Sequence, residues 1–101
     1  MIFSHLHVHT QFSLLDGAAD ISGLYKKAVA DKMRGIAITD HGNMFGVFKF
    51  VAEAGKYNKE NPDTIKPIVG CEFYLVENHH KKQFTRDEKD ARYHQLFLAK
   101  N

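Results

Sequence analysis

The sequence predicts an α/β fold with parallel strands, because segments with a strand pattern alternate with segments that have a helix pattern. Ile2–Val8 alternates apolar and polar side chains, as a strand does. Asp20–Arg34 repeats apolar residues at the spacing of one helix face. Gly35–Thr39 is a short, mainly apolar run, typical of a strand buried on both faces of a parallel sheet. This order predicts right-handed crossovers between neighbouring strands.

The first predicted helix has an N-cap and one apolar face. It follows a loop, Gln11–Ala19, that contains the turn pair Asp16-Gly17. The carboxylate of Asp20 can accept hydrogen bonds from the free N–H groups of the first turn. Gly35 stands where a helix-ending glycine is expected. The apolar positions of this helix are Ile21, Leu24, Tyr25, Ala28 and Met33.

A second helix is expected over about Met44–Asn58, and Asn61-Pro62-Asp63 ends it. Gly55 inside it costs about 1 kcal/mol of helix propensity relative to alanine. The apolar positions of this helix include Phe45, Phe48, Val51 and Ala52.

Two further strands follow the second helix, and both are predicted to run parallel to the earlier ones. The third lies within Pro67–Val76 and the fourth within Arg92–Lys100. Between them, Glu77–Ala91 is mostly polar with charges of both signs, which predicts a solvated insertion. Four strands with two helices neither cover a parallel sheet nor close a barrel. Residues 1–101 are therefore expected to be the N-terminal portion of one larger domain.

Composition excludes several classes of protein. With 44% hydrophobic and 26% charged residues, the chain has the composition of a soluble globular domain, and a cytoplasmic location is expected. No apolar run approaches the ~20 residues that a membrane helix needs. The single cysteine, Cys71, excludes an internal disulfide framework and a CxxC zinc site. A net charge of +2 does not by itself indicate a nucleic-acid surface.

The histidines of His5-Leu6-His7-Val8-His9 point to a metal site. Residues two apart on a strand share a face, so His7 and His9 lie about 6.6 Å apart along it. Imidazoles at that spacing can converge on one ion. The pair also ends its strand, where parallel α/β folds place their active sites. The alternative is a chance run of histidines on an edge strand.

Later loops and strands add further candidate ligands. Asp16 follows the first strand, although an Asp-Gly pair is also a common turn. His41 follows the second strand, in a loop where Asp40 or Asn43 could instead cap the next helix; Asp40 is not nominated as a ligand. Glu72 lies in an apolar strand, where a charge is costly to bury unless it is paired or binds a metal.

His94 is likewise a polar residue in a predicted strand, the fourth. The alternative is a buried histidine whose ring nitrogens are hydrogen-bonded within the protein. Cys71 is interpreted as a small buried side chain, and His79 and His80 as solvated. The candidate metal ligands are His7, His9, Asp16, His41, Glu72 and His94. Imidazole with carboxylate suits Zn²⁺, Mn²⁺ or Fe ions. More than four ligands indicate several ions, an arrangement that suits phosphoester hydrolysis.

The chain resembles the PHP (polymerase and histidinol phosphatase) family along its whole length. The resembling segments are His5-Leu6-His7-Val8-His9-Thr10, Ser13-Leu14-Leu15-Asp16-Gly17, Ala37-Ile38-Thr39-Asp40-His41-Gly42-Asn43, Lys66-Pro67-Ile68-Val69-Gly70-Cys71-Glu72 and Tyr93-His94-Gln95-Leu96-Phe97-Leu98-Ala99-Lys100. The resemblance implies a distorted (β/α)7 barrel that binds up to three divalent metal ions.

In the family pattern, His7 and His9 hold one ion, and Glu72 bridges it to a second that His94 also holds. Asp16 and His41 belong to a third ion. The remaining ligands would come from later strands that this sequence does not include. The intact domain is thus implied to be complete only with residues beyond Asn101.

Histidine at position 5 and the run from Thr39 to Gly46 resemble the polymerase branch of the family. That branch implies 3′–5′ exonuclease or phosphoesterase activity and DNA as a partner. It also implies replication subunits such as a proofreading subunit and a sliding clamp. The alternatives are a structural or docking module without turnover, and a stand-alone phosphatase. Amidohydrolases fit the Asp16, His41 and Glu72 arrangement poorly. The 101-residue chain alone is expected to be inactive and to self-associate through its open strand edge.

Overall fold

The computed structural model describes residues 3–61, 64–80 and 92–100, without the side chains of residues 15 and 16. In chain order, the elements are a 3-10 helix (Gln11–Asp16), α1 (Ile21–Ala30), β1 (Gly35–His41), α2 (Val47–Glu60), β2 (Lys66–Leu75) and β3 (Tyr93–Leu98). The two α-helices pack on a sheet of three strands with the order β1-β2-β3. Strands β1 and β2 are parallel, and β2 and β3 are antiparallel.

Strand β1 is the centre of the hydrophobic core. Its residues from Gly35 to Asp40 are all buried, as the apolar run predicted. Ile36 and Ile38 pack with side chains from both helices. Since α2 connects two parallel, paired strands, the expected βαβ unit is confirmed for β1, α2 and β2. The other buried members of this core are Ile21, Tyr25, Ala28, Met33, Phe50, Ala54 and Ile65.

Helix α1 begins as predicted and ends earlier than predicted. The Asp20 side chain accepts a hydrogen bond from Gly23 N at 3.0 Å, so the N-cap is confirmed. The helix stops at Ala30, and Lys32 takes the left-handed conformation after it, with φ of 56°. Met33 N then donates to Ala28 O, which closes a Schellman motif. The prediction that Gly35 ends the helix is therefore wrong, because Gly35 is the first residue of β1.

Helix α2 buries a different face from the one that the sequence predicted. Its buried residues are Phe50 and Ala54, with Val47 and Tyr57 packed beside them. These four residues have helical spacing and face α1 and β1. The other apolar residues that the sequence marks, Phe45, Phe48, Val51 and Ala52, are exposed. Phe45 and Phe48 are 77% and 86% exposed, and Phe45 precedes the helix.

The expected first strand, Ile2–Val8, is not a regular strand over its described residues. Ala37 N donates to His5 O at 3.0 Å and Thr39 N donates to Val8 O at 2.8 Å. The two donors, Ala37 and Thr39, are two residues apart, whereas the two acceptors, His5 and Val8, are three residues apart. The first segment therefore has one residue more than a regular ladder would pair with β1. The N–H of Val8 donates to the hydroxyl Oγ1 of Thr39 instead of a backbone carbonyl. A side chain thus replaces a sheet hydrogen bond beside the histidines.

The direction of β3 also differs from the prediction, since it runs antiparallel to β2. A parallel return needs a crossover that covers the sheet, usually a helix with an apolar face. The polar insertion predicted over Glu77–Ala91 has too few apolar residues to supply one. Residues 81–91 lie outside the described part of the chain, so the insertion itself stays a prediction. The all-parallel order is wrong for this strand.

Among the residues that the structure describes, no helix combines the length and apolar composition needed to cross a membrane. The sheet is mixed and three-stranded in this part of the chain. The seven-stranded barrel stays a prediction.

Candidate metal centre

Glu72 lies at the middle of the candidate site. It is 6% exposed, and in the sheet register it faces His41 on β1 and Leu96 on β3. Its Oε2 lies 3.2 Å from His7 Nε2, 2.5 Å from His9 Nε2 and 3.4 Å from His41 Nδ1. Its Oε1 lies 3.2 Å from His94 Nδ1. One buried carboxylate therefore touches histidines from three separate parts of the chain.

These side chains form two groups of three candidate ligands that share Glu72. One group is His7, His9 and Glu72, and the other is His41, Glu72 and His94. Within each group, the ligand atoms lie within 4.8 Å of one another. In a tetrahedral zinc site with ~2.0 Å bonds to nitrogen, ligand atoms are about 3.3 Å apart. The arrangement therefore fits a divalent ion in each group.

The electrostatic environment keeps Glu72 charged. Burial by itself raises the pKa of a carboxyl group. Hydrogen bonds with His9 and His7, and the charges of His41 and His7, oppose burial and hold the pKa of Glu72 below its usual range. A deprotonated carboxylate is the form that binds metal ions. Two oxygens on one carboxylate can also serve two ions at once.

Exposure of the histidines shows where the site opens to solvent. The side chains of His7 and His94 are about half exposed, whereas those of His9 and His41 are 21% and 14% exposed. The inner pair is in ring contact, with centroids 4.0 Å apart. The two outer histidines therefore border the side of the site that is open to solvent in the described part of the chain. Tyr74 lines this opening, with its ring 5.2 Å from that of His94.

A second buried carboxylate, Asp40, holds the chain around the site. Its Oδ1 accepts hydrogen bonds from Thr10 N at 2.6 Å and from Ser13 Oγ at 2.7 Å. Its Oδ2 accepts from Thr10 Oγ1 at 2.8 Å. The N–H of His41 donates to the same Ser13 hydroxyl at 3.1 Å. Asp40 as a cap of α2 is therefore wrong, because α2 starts after Gly46 with no side-chain cap.

The turn after β1 places His41 against Glu72. Gly42 has a φ of +60°, and its N–H donates to Glu72 O at 2.9 Å. A Cβ at this position would lie 2.9 Å from the Tyr74 ring, so the turn requires glycine. Asn43 Nδ2 donates to His41 O and Phe12 O, which ties the turn to the 3-10 helix.

The remaining sequence candidates have different outcomes. Asp16 ends the 3-10 helix, but its side chain lies outside the described part of the chain, so its metal role stays a prediction. His79 and His80 are exposed, as expected. Cys71 is buried, and burial raises the pKa of its thiol, which makes it a poor nucleophile.

Sequence reasoning missed the hydrogen-bonded network of Thr10, Ser13 and Asp40. The sequence signal that could have revealed this network was Asp40 at the end of a buried apolar strand, where a charged side chain needs hydrogen-bond partners. The two hydroxyl residues just after the His7–His9 pair were the available partners. Tyr74 and Arg92 were also missed; the Arg92 guanidinium lies 5.5 Å from the centre of the Tyr74 ring.

Comparison with known proteins identifies the family of this chain. The family model described as "PHP domain" matches residues 5–101. DNA polymerase III subunit alpha of Borreliella burgdorferi is 46% identical over 98% of this chain. The subunits of the same name from Helicobacter pylori strain 26695 and Treponema pallidum are 40% and 39% identical, over 98% and 100% of this chain. The chain spans only 7–8% of the length of these relatives. It belongs to the PHP domain family.

Proposed function

We propose that this chain is the N-terminal PHP segment of a replicative DNA polymerase of the DNA polymerase III alpha type. We further propose that its metal centre, in the intact domain, hydrolyses phosphodiesters at DNA 3′ ends. The observation that carries the second proposal is one buried carboxylate, Glu72, shared by two groups of histidines. Paired ions suit in-line displacement at phosphorus, because they stabilise the attacking and leaving oxygens.

Each side chain of the site has a role that its position supports. Glu72 stays ionised; its Oε2 lies beside His7, His9 and His41 and its Oε1 beside His94, so this carboxylate could serve both ligand groups. His9 and His41, the less exposed pair, would bind ions on the inner side of the site, while His7 and His94 border the opening. Bound Zn²⁺, Mn²⁺ or Fe ions would lower the pKa of a water and stabilise charge on the phosphate. Asp16 belongs to a third ion in this proposal.

The proposed partners follow from the family resemblance. We propose that the intact protein acts on DNA in the cytoplasm, alongside a proofreading subunit and a sliding clamp. Polymerisation itself would depend on domains outside these 101 residues. The 101-residue chain alone is proposed to be inactive, because the late metal ligands of the family pattern come from further strands.

A second candidate function is a structural or docking module that binds metal ions without turnover. The observation that favours it is the exposed apolar surface of Phe45 and Phe48, which the described residues leave uncovered. Large exposed apolar residues in a group are typical of contact surfaces. A stand-alone phosphatase is less well supported, since the similar relatives are polymerase subunits.

Activity and stability measured on the same variants separate these functions. In the full-length protein, Glu72→Gln and His9→Ala should abolish metal-dependent 3′-exonuclease activity while the metal-free protein stays folded at the assay temperature. Glu60→Gln, an exposed carboxylate on α2, is the matched control and should keep full activity. Parallel losses of activity and of metal-free stability would contradict the catalytic proposal and favour the structural module.

A further inference from the structure

Asp40 is a buried charged residue that the metal centre does not use directly. It is 2% exposed, and both of its carboxylate oxygens accept hydrogen bonds from the segment that follows His9. A carboxylate with several donors is stabilised in a buried position. Both carboxylate oxygens of Asp40 already accept hydrogen bonds from Thr10 and Ser13, so this side chain can hold those two residues in place.

The two metal groups are held in different ways. His41 and Glu72 are direct neighbours in the ladder of β1 and β2, and His94 lies in the ladder of β2 and β3. This group, the ladder group, is fixed by the pairing of three strands, and within the described part of the chain the hydrogen bond from His41 N to Ser13 Oγ links it to the Asp40 network. His7 and His9 instead lie on an irregular segment, residues 3–10, here named the entry segment.

The entry segment is anchored to β1 mainly at its end. Ala37 and Thr39 donate to His5 and Val8, and beyond that point Thr10 is held by Asp40 through both its N–H and its hydroxyl. Thr10 directly follows His9, so the position of this backbone sets where the imidazole of His9 meets Glu72. A shift of about 1 Å in a ligand-bearing segment is enough to spoil a metal site.

We propose that Asp40 is a positioning residue that holds the entry segment so that His7 and His9 share Glu72 with the ladder group. This inference rests on the proposed metal centre and deepens it. Loss of Asp40 should weaken the ion at His7, His9 and Glu72, and it should leave the ion at the ladder group bound. A residue with only a general structural role would affect both ions alike.

The test is metal affinity measured separately at each group in the full-length protein. Metal-free protein is titrated with Zn²⁺ against a chromophoric chelator, and bound ions are counted by mass spectrometry. His94→Ala isolates the entry-segment group, and His7→Ala isolates the ladder group. Asp40→Asn should lower zinc affinity in the His94→Ala background about 10- to 100-fold, the usual cost of losing a partner that orients a ligand. In the His7→Ala background, affinity should stay within about threefold of its parent, since a threefold change is under 1 kcal/mol.

Two further variants make the test independent of the folding of Asp40→Asn. Thr10→Val keeps the shape of the side chain and the backbone donor to Asp40, and it removes the hydroxyl that donates to Asp40 and accepts from Phe12 N, so it should weaken the same group by a smaller factor. Asp31→Asn, an exposed aspartate paired with Lys27, is the control and should change neither group.

The outcomes distinguish this inference from the proposed metal centre. If Asp40→Asn and Thr10→Val weaken both groups equally, or neither group, the positioning role is overturned while the metal centre stands. If the wild-type protein binds no zinc at either group, the metal centre itself is overturned, and the positioning role with it.

Discussion

Strand β1 and the entry segment lie side by side but are held by different forces. Residues Gly35 to Asp40 of β1 are fully buried and pair with β2 in an unbroken parallel register. The entry segment is half-exposed and depends on side-chain hydrogen bonds from Thr39 and Asp40. The scaffold is therefore stabilised by apolar burial, whereas the ligand-bearing segment is placed by polar contacts. Substitutions in the two regions should have separable effects on stability and on metal binding.

The largest expected effect is on the scaffold. Phe50 is fully buried in the core between the helices and β1, so Phe50→Ala should lower the free energy of unfolding by about 3–5 kcal/mol. Zinc affinity of the molecules that remain folded should be unchanged. Urea denaturation and chelator competition measure the two quantities. A loss below about 1 kcal/mol would contradict this account of the core.

Metal binding should add stability through the ligand-bearing region. Zinc at 100 times its dissociation constant should raise the free energy of unfolding by about 2.7 kcal/mol for one site. Glu72→Gln should remove most of this increase, because both groups share that carboxylate. The control Glu60→Gln should keep it. An undiminished zinc effect in Glu72→Gln would show that the ions bind elsewhere.

Acid should destabilise the metal-free protein partly through Glu72. Although burial raises its pKa, the contacts with His9 and His7 lower it overall in the folded protein. Stability from this group is therefore present above the unfolded pKa of about 4.3, and it is lost as the pH falls through the lower folded value. Glu72→Gln should show a weaker loss of stability over this acidic range. Identical acid profiles for variant and wild type would contradict the assignment.

The smallest effect is expected at Tyr25. Among the described residues its buried hydroxyl has no hydrogen-bond partner, and burial, followed by the charge of Glu53, raises its pKa well above the usual range. Tyr25→Phe should therefore change the free energy of unfolding by less than about 1 kcal/mol near neutral pH, or raise it. Above pH ~10 the wild type should lose stability that the variant keeps, since the unfolded tyrosine ionises first. A marked destabilisation would reveal a partner for the hydroxyl.

Local chemistry made part of this fold predictable. The N-cap at Asp20, the buried run of β1 and the charge of Glu72 in an apolar strand each depend on a few neighbouring residues. The spacing of His7 and His9 predicted that both could bind one ion; the structure places both imidazoles beside Glu72, and the ion itself stays a prediction.

The features that the sequence did not predict depend on contacts between distant segments. The irregular entry segment follows from Thr39 and Asp40, some thirty residues further along the chain. The choice of Phe50 over Phe48 as the buried face of α2 depends on where α1 lies. The antiparallel direction of β3 is a relation between strands, and the polar sequence between β2 and β3 gives no hydrophobic period from which to predict it.

The most direct test of the shared carboxylate is a crystal structure of the zinc-loaded full-length protein with anomalous data at the zinc edge. The account predicts one ion at each of the two ligand groups, both bound by the carboxylate of Glu72 within about 2.2 Å, the usual zinc–carboxylate distance. His7 and His9 should bind one of these ions, and His41 and His94 the other. An empty ligand group, or an ion at either group that Glu72 does not touch, would contradict the account.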